Sequence, residues 1–207
     1  MRGKLSMLIT IDRFQMNEMA SNPMYTRIRA TFFSFFALCL LSTPVLAGDA
    51  PDKFVHEIKG GALIHDVDNL WSNFSREDGI DLNIEAIFTP SVDVLGGTIR
   101  PALGASINTS GDTSKVYLDA RWEYAATNGL FFAFGVGGAI HNGEERLVSN
   151  DQKALGSKVL FHIPIEVGYH IDAHHGVSVY FDHISNAYTQ DENEGLDTLG
   201  LRYGYRF

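Results

Sequence analysis

Three residues near the C-terminus have the side-chain types of a hydrolytic triad: His183, Ser185 and Asp197. A serine hydroxyl attacks a carbonyl carbon when a histidine accepts its proton, and a carboxylate orients the histidine and stabilises its charged form. These types predict Ser185 as nucleophile, His183 as general base and Asp197 as the orienting acid. Asn186, the next residue, is a candidate to position the site or to donate a hydrogen bond to an oxyanion.

Period-two spacing places the three candidate residues on the apolar faces of two consecutive segments. Those faces consist of Val177, Val179 and Phe181 in one segment, and of Leu199, Leu201, Tyr203, Tyr205 and Phe207 in the next. Polar groups on an apolar face are costly unless they pair or serve a function. Because His-x-Ser is a weak pattern, a plainer alternative stays open: His183 and Ser185 are interfacial polar residues, and Asp197 belongs to a solvated loop.

The elements that must position these residues are predicted to be strands. From residue 54 onward, apolar and polar residues alternate, and turn-forming residues interrupt the alternation at regular intervals. Eight segments follow one another: 54–66, 79–89, 97–108, 114–126, 129–141, 157–170, 175–187 and 196–207.

The polar faces of these segments distinguish a membrane barrel from a soluble sandwich. They carry charges in mid-strand, namely Glu85, Asp119, Arg121, Glu123 and Glu166. In a small membrane barrel such groups pair in the lumen while apolar side chains face lipid. Segments of ten or more residues also fit tilted membrane strands better than globular strands, which have about five or six. The prediction is an all-β, eight-stranded antiparallel transmembrane β-barrel of outer-membrane type.

Both ends of the chain carry export signals. Arg27 and Arg29 precede an apolar stretch, Ala30–Leu41, and small residues before Ala47 predict cleavage after that residue. Residues 1–47 are thus predicted to be a removed signal region, with translation starting at Met1, Met19 or Met24, and residues 48–207 a single barrel domain. The strand that ends in Phe207 is similar to the terminal strand by which outer-membrane barrels reach their assembly machinery. Aromatic residues near strand ends suit interfacial girdles: Trp122, Tyr124, Tyr169, Tyr203 and Tyr205.

Composition excludes several other classes of protein. The net charge is −9, and residues 1–47 carry five Lys/Arg and two Asp/Glu, so the remainder carries −12. So acidic a chain is a poor candidate to bind nucleic acid. The absence of an 18-residue apolar run beyond the N-terminal region excludes a bundle of membrane helices. The only cysteine, Cys39, lies in the signal region, so no disulfide is predicted. The histidines lack metal-ligand spacing, so no metal or other cofactor is predicted.

The sequences at 183–187 and 193–197, His-Ile-Ser-Asn-Ala and Asn-Glu-Gly-Leu-Asp, resemble the signature of the lipid A 3-O-deacylase (PagL-type) family. The stretch 111–114 and the C-terminal strand are also similar to that family. The resemblance implies a lipid-exposed triad with His183 as base and Ser185 as nucleophile, followed by the family's Asn at Asn186. Asp197 stands where the family pattern has Glu and is one methylene shorter, while Glu194 is a possible substitute for it.

With the candidate triad, this resemblance implies an outer-membrane serine esterase that removes an ester-linked 3-hydroxyacyl chain, at the 3-O position, from lipid A of lipopolysaccharide. An even number of strands with short periplasmic turns places His183, Ser185 and Asp197 at the height of the outer leaflet. The expected partners are lipopolysaccharide, the outer membrane and the barrel assembly machinery through Phe207, and a homodimer is left open. Two alternatives remain: a non-catalytic structural or adhesion barrel, and a phospholipase or acyltransferase barrel.

Overall fold

The computed structural model describes residues 53–72 and 74–207, and the predicted signal region, residues 1–47, lies outside them. The strands of the described residues are β1 (Val55–Ile64), β2 (Ile80–Phe88), β3 (Val92–Val94), β4 (Gly97–Asn108), β5 (Lys115–Ala125), β6 (Leu130–His141), β7 (Val159–His170), β8 (His175–Ser185) and β9 (Leu196–Arg206). Within this part of the chain, no helix is long and apolar enough to cross a membrane.

The eight long strands form a closed antiparallel barrel, as predicted. Each pairs with its neighbours, β2 pairs directly with β4, and β1 pairs with the last strand, β9, so that the sheet closes on itself. The short strand β3 was not predicted, because its residues lie in the predicted turn 89–96. Leu95 and Gly96 both have positive φ, 51° and 74°, which suits a two-residue hairpin turn and lets β3 pair with the start of β4.

Side chains alternate between a polar lumen and an apolar outer surface, as the sequence pattern indicates. Lipid-facing residues such as Leu82, Leu118 and Leu201 are more than half exposed. Charged lumenal residues are almost fully buried and cross the lumen to reach one another. The apolar surface required by a membrane is therefore outside, and the prediction that the mid-strand charges pair in the lumen is confirmed.

Glu166 lies at the centre of the largest lumenal ion cluster. Its Oε2 is 2.5 Å from Arg121 Nη2, 2.7 Å from Arg202 Nη2 and 3.2 Å from Lys59 Nζ. Glu85 contacts the same two guanidinium groups at 3.5 and 3.3 Å. Because desolvated charges are tolerated only when paired and hydrogen-bonded, this cluster fixes the strands that carry it relative to one another.

The two ends of the barrel differ in the length of their connections. One end, here the loop end, carries the first loop (65–79), the second loop (109–114), the third loop (142–158) and the fourth loop (186–195). The opposite end, here the turn end, carries residues 89–96, 126–129 and 171–174. The predicted girdle aromatics all lie towards the turn end, on β5, β7 and β9. Outer-membrane barrels carry their longer loops outside the cell, and the loop end has connections of that kind.

Candidate active site

The structure brings His183, Ser185 and Asp197 into one hydrogen-bonded row at the loop end. His183 Nε2 is 2.9 Å from Ser185 Oγ, and His183 Nδ1 is 2.6 Å from Asp197 Oδ1. His183 and Ser185 lie two residues apart on β8, and Asp197 is the direct cross-strand partner of His183 on β9. This geometry allows the imidazole to accept the serine proton while the carboxylate holds its other nitrogen.

The sheet register explains why the row forms on the outward face. Period two directs both β8 residues to the side of the lipid-facing residues Val177 and Val179, and the antiparallel pairing places Asp197 beside them. The alternate residues of β8 point into the lumen, where Asp182 contacts Lys115. A polar row on this face faces the membrane rather than the lumen.

Two backbone N–H groups hold the second oxygen of Asp197. The N–H groups of Trp71 and Ser72, in the first loop, both donate to Asp197 Oδ2 at 2.6 Å. Asp197 is 0% exposed. Both carboxylate oxygens are thus engaged, one by the imidazole and the other by the first loop.

Trp71 also covers the imidazole. Its ring lies 4.7 Å from the ring of His183, centroid to centroid, with only 11° between the planes. It is also nearly parallel to Phe181, at 6.4 Å. As a result His183 is only 6% exposed although it lies on the outward face.

Asn186 lies beside the row, but its side chain bonds to the loops. Its Nδ2 donates to the carbonyl oxygens of Leu155 at 3.0 Å and of Glu192 at 2.5 Å, and its Oδ1 accepts from the N–H of Thr189. The chain then turns sharply, because the next two residues have positive φ values of 51° and 58°. Asn186 thereby fixes the backbone that follows Ser185 to the third and fourth loops.

The sequence did not indicate the role of two residues at the site, Gly195 and Trp71. Gly195, inside the recognised motif, leaves room for the imidazole, since a Cβ there would lie 2.5 Å from His183 Cε1. Trp71 lies in a loop without periodic signal and reaches Asp197 across 126 positions of sequence, so no local pattern could reveal it. Glu194, the possible substitute for Asp197, is 3.1 Å from Arg76 instead and accepts the N–H of Ala154.

Buried charges anchor the first loop. Asp66 accepts the N–H groups of Arg76 and Glu77 and lies 3.2 Å from Lys153 of the third loop. Glu77 Oε2 is 3.0 Å from His65 Nε2 and accepts the N–H of Thr113 in the second loop. The first loop is therefore tied to the second and third loops near the points where it leaves and re-enters the barrel.

The imidazole of His65 lies between two carboxylates, with Nδ1 2.8 Å from Asp81 Oδ1 and Nε2 on Glu77. Burial lowers the pKa of His65, but the hydrogen bonds to Asp81 and Glu77 outweigh it and raise the pKa to about 9. Burial raises the pKa of Glu77, but the hydrogen bond from His65 outweighs it and leaves the pKa below its usual value. Both groups are held in their charged forms at neutral pH. Among the described residues, no three His, Cys, Asp or Glu side chains are grouped to hold a metal ion.

Comparison with known proteins places this geometry in context. In solved structures, the chain is similar to the one described as "Crystal structure of the outer membrane enzyme PagL", with 18% identity and a TM-score of 0.57, covering 73% of this chain and 99% of that one. It also matches Neisserial surface protein A (NspA) with 10% identity and a TM-score of 0.47, covering 73% of this chain and 96% of that one. No curated protein sequence matches significantly. The sequence pattern of the lipid A 3-O-deacylase (PagL) family matches residues 60–206, which include the whole hydrogen-bonded row. The chain belongs to the lipid A 3-O-deacylase (PagL) family.

Proposed function

We propose that this protein is a serine esterase that hydrolyses an ester-linked 3-hydroxyacyl chain, at the 3-O position, from lipid A of lipopolysaccharide. The observation that carries the proposal is the continuous row Ser185–His183–Asp197 on the outward face of the barrel. Membership of the deacylase family supports lipid A as the substrate. The hydroxyl, imidazole and carboxylate together supply what ester hydrolysis requires.

Ester cleavage would proceed through an acyl-enzyme. Ser185 Oγ attacks the acyl carbonyl carbon while its proton passes to His183 Nε2, and Asp197 stabilises the imidazolium that forms. The bond between the carbonyl carbon and the sugar oxygen then breaks, and that oxygen takes the proton from His183. Water next gives a proton to His183 and attacks the carbonyl carbon of the acyl-Ser185 ester. The bond from that carbon to Ser185 Oγ breaks, His183 returns the proton to Oγ, and the hydroxy fatty acid leaves.

The location of the row supports a substrate that arrives laterally. The row lies at the loop end and faces away from the lumen. In the proposed orientation the loop end is at the height of the outer leaflet, where lipopolysaccharide resides. The proposal therefore includes the outer membrane of a Gram-negative cell as the site of action. Residues 1–47 would act as the removed signal region and Phe207 as the residue recognised by the barrel assembly machinery.

Asn186 would act by positioning the backbone that follows Ser185. Both hydrogens of its amide are directed at the carbonyl oxygens of Leu155 and Glu192. An oxyanion donor needs a hydrogen directed at the reacting carbonyl instead. The contacts of Asn186 thus favour the positioning role over the oxyanion role.

The test is mass spectrometry of lipid A from cells that overproduce the protein or its Ser185→Ala variant. We expect lipid A to lose one 3-hydroxyacyl mass with the wild-type protein and to remain intact with Ser185→Ala. Ser91→Ala, an exposed serine at the turn end, is the matched control and should act like the wild type. Heat-modifiable gel mobility should show that all three proteins form the barrel.

Other outcomes would select the alternatives. Loss of the acyl chain with Ser185→Ala would exclude Ser185 as the nucleophile. Intact lipid A together with hydrolysis of labelled phospholipid by the purified protein would identify a phospholipase or acyltransferase. Inactivity toward both lipids, with the barrel folded, would leave a structural or adhesion barrel.

A further inference from the structure

His183 faces lipid and yet is almost completely covered. Lipid-facing residues on the same strand, such as Val177 and Val179, are about half exposed, whereas His183 is 6% exposed. The cover is the indole of Trp71, which lies nearly parallel to the imidazole at 4.7 Å. The first loop therefore bends over the outer wall of the barrel at the position of the base.

Burial of apolar surface alone does not explain the position of the Trp71 side chain. The residue is 51% exposed, so it gains only part of the stabilisation that burial of an indole provides. Its covered surface faces His183 and Phe181, and its backbone N–H donates to Asp197. Two of these three contacts are with residues of the row, and the third is with Phe181, the preceding outward-facing residue on β8.

The first loop also determines where Asp197 lies. Two N–H donors at 2.6 Å fix Oδ2, and the N–H of Val67 donates to the backbone carbonyl of Asp197 at 2.9 Å. The carboxylate is thereby held from the side opposite His183. This fixed position compensates for the short reach of an aspartate side chain.

We propose that Trp71 is a positioning residue of the esterase, whose indole holds the plane of the His183 imidazole while its backbone, with that of Ser72, holds Asp197. This inference rests on the proposed function. An imidazole fixed in plane keeps Nε2 directed at Ser185 Oγ, and small errors in such an alignment cost large factors in rate. The indole face also attracts the imidazolium once the proton has moved, so the contact is stronger in the transition state than before it.

The kinetic test replaces the indole in the purified protein, with lipid A in detergent as substrate. Trp71→Leu keeps an apolar cover but loses the flat aromatic face, and we expect kcat to fall at least about tenfold with little change in KM. Trp71→Phe, which retains an aromatic face, should recover most of the lost rate. Trp122→Phe changes the other tryptophan of the chain, at the turn end, and should leave kcat unaltered.

A spectroscopic test does not depend on turnover. In Trp122→Phe, Trp71 is the only tryptophan, so the emission of this variant reports on the ring that is stacked on the Trp71 indole. We expect the stacked imidazole to quench this emission and the emission to rise when His183→Ala is added. The quenching should persist when Ser185→Ala is added, because that change leaves the stacked rings in place.

The outcomes separate this inference from the proposed function. Quenching through His183 in a protein that cleaves no lipid A would refute the esterase while leaving the contact established. Normal kcat and KM in Trp71→Leu, or fluorescence indifferent to His183→Ala, would overturn the positioning role even in an active enzyme. A folded-barrel band on gels should accompany each variant, so that loss of the barrel is not read as loss of positioning.

Discussion

Asp197 is fixed on both of its carboxylate oxygens, which makes the site sensitive to side-chain length. Oδ1 lies 2.6 Å from His183 Nδ1, and Oδ2 accepts two N–H groups of the first loop at the same distance. The family resemblance offers glutamate at this position, but the loop in this chain closes on an aspartate. The first loop thus places its N–H donors at the distance that an aspartate side chain, and not the longer glutamate, reaches.

At the residue scale we therefore predict that Asp197→Glu lowers activity instead of improving it. The added methylene moves the carboxylate into the space of the N–H donors or against the imidazole, so one set of hydrogen bonds must be lost. A loss of about tenfold in kcat/KM corresponds to ~1.4 kcal/mol, the size of one weakened hydrogen bond to a charged group. Steady-state kinetics on lipid A would measure it, and a variant faster than the wild type would show that the loop adapts freely.

At the element scale, the strands followed from the sequence and the loops did not. Period-two alternation fixes both the existence of a strand and the faces of its residues, so β8 and the outward direction of His183 and Ser185 could be predicted. The row's acid could be predicted for the same reason. The contacts of Trp71 could not, because they join loop residues to β9 across more than a hundred positions. The short strand β3 could not be predicted, because Leu95 is an unusual residue for a turn position with positive φ.

The anchoring of the first loop gives an expected pH dependence. The pKa of His65 is raised from 6.5 to about 9, so its contribution to stability is fully present below about pH 6.5 and is lost as the pH rises through 9. The pKa of Glu77 is lowered, so its contribution is present above 4.5 and is lost at lower pH. The first loop should be most firmly anchored between these limits.

Limited proteolysis of the first loop across this range would measure the effect. We expect cleavage to accelerate above about pH 9 in the wild type, and His65→Gln to be cleaved quickly at neutral pH with a smaller dependence on alkaline pH. His174→Gln, at the exposed turn end, serves as the matched control and should follow the wild type. Equal cleavage of all three proteins at every pH would contradict the anchoring role of His65.

At the scale of the whole molecule, the lumenal charges hold the barrel wall together. Glu166 is 0% exposed and lies within 3.2 Å of Lys59, Arg121 and Arg202. Its pairs differ in kind from those at the surface, such as Lys158 with Glu145, where both side chains are about half exposed. Removing one member of a buried cluster leaves the other charges without compensation, whereas water replaces a surface partner.

We predict that Glu166→Gln destabilises the barrel by about 3–5 kcal/mol, while Glu145→Gln costs less than about 1 kcal/mol. Urea titration of the protein in detergent, followed by heat-modifiable mobility, would measure both. Similar unfolding midpoints for the two variants would mean that water in the lumen screens the cluster. The row at the loop end lies outside the lumen, so residual folded Glu166→Gln should still cleave lipid A.

Closure of the sheet through β1 and β9 has a consequence for when the protein can act. The first loop follows β1, and Asp197 is the second residue of β9, so the parts that hold His183 come from the beginning and the end of the barrel sequence. They meet only at the seam where the first and last strands join. A chain in transit, or a barrel still open at that seam, would carry Ser185 and His183 without the contacts of Trp71 and Asp197. If the proposed esterase acts through these residues, acyl release would begin only after the barrel has closed, and closure would protect the cell from premature hydrolysis of its lipids.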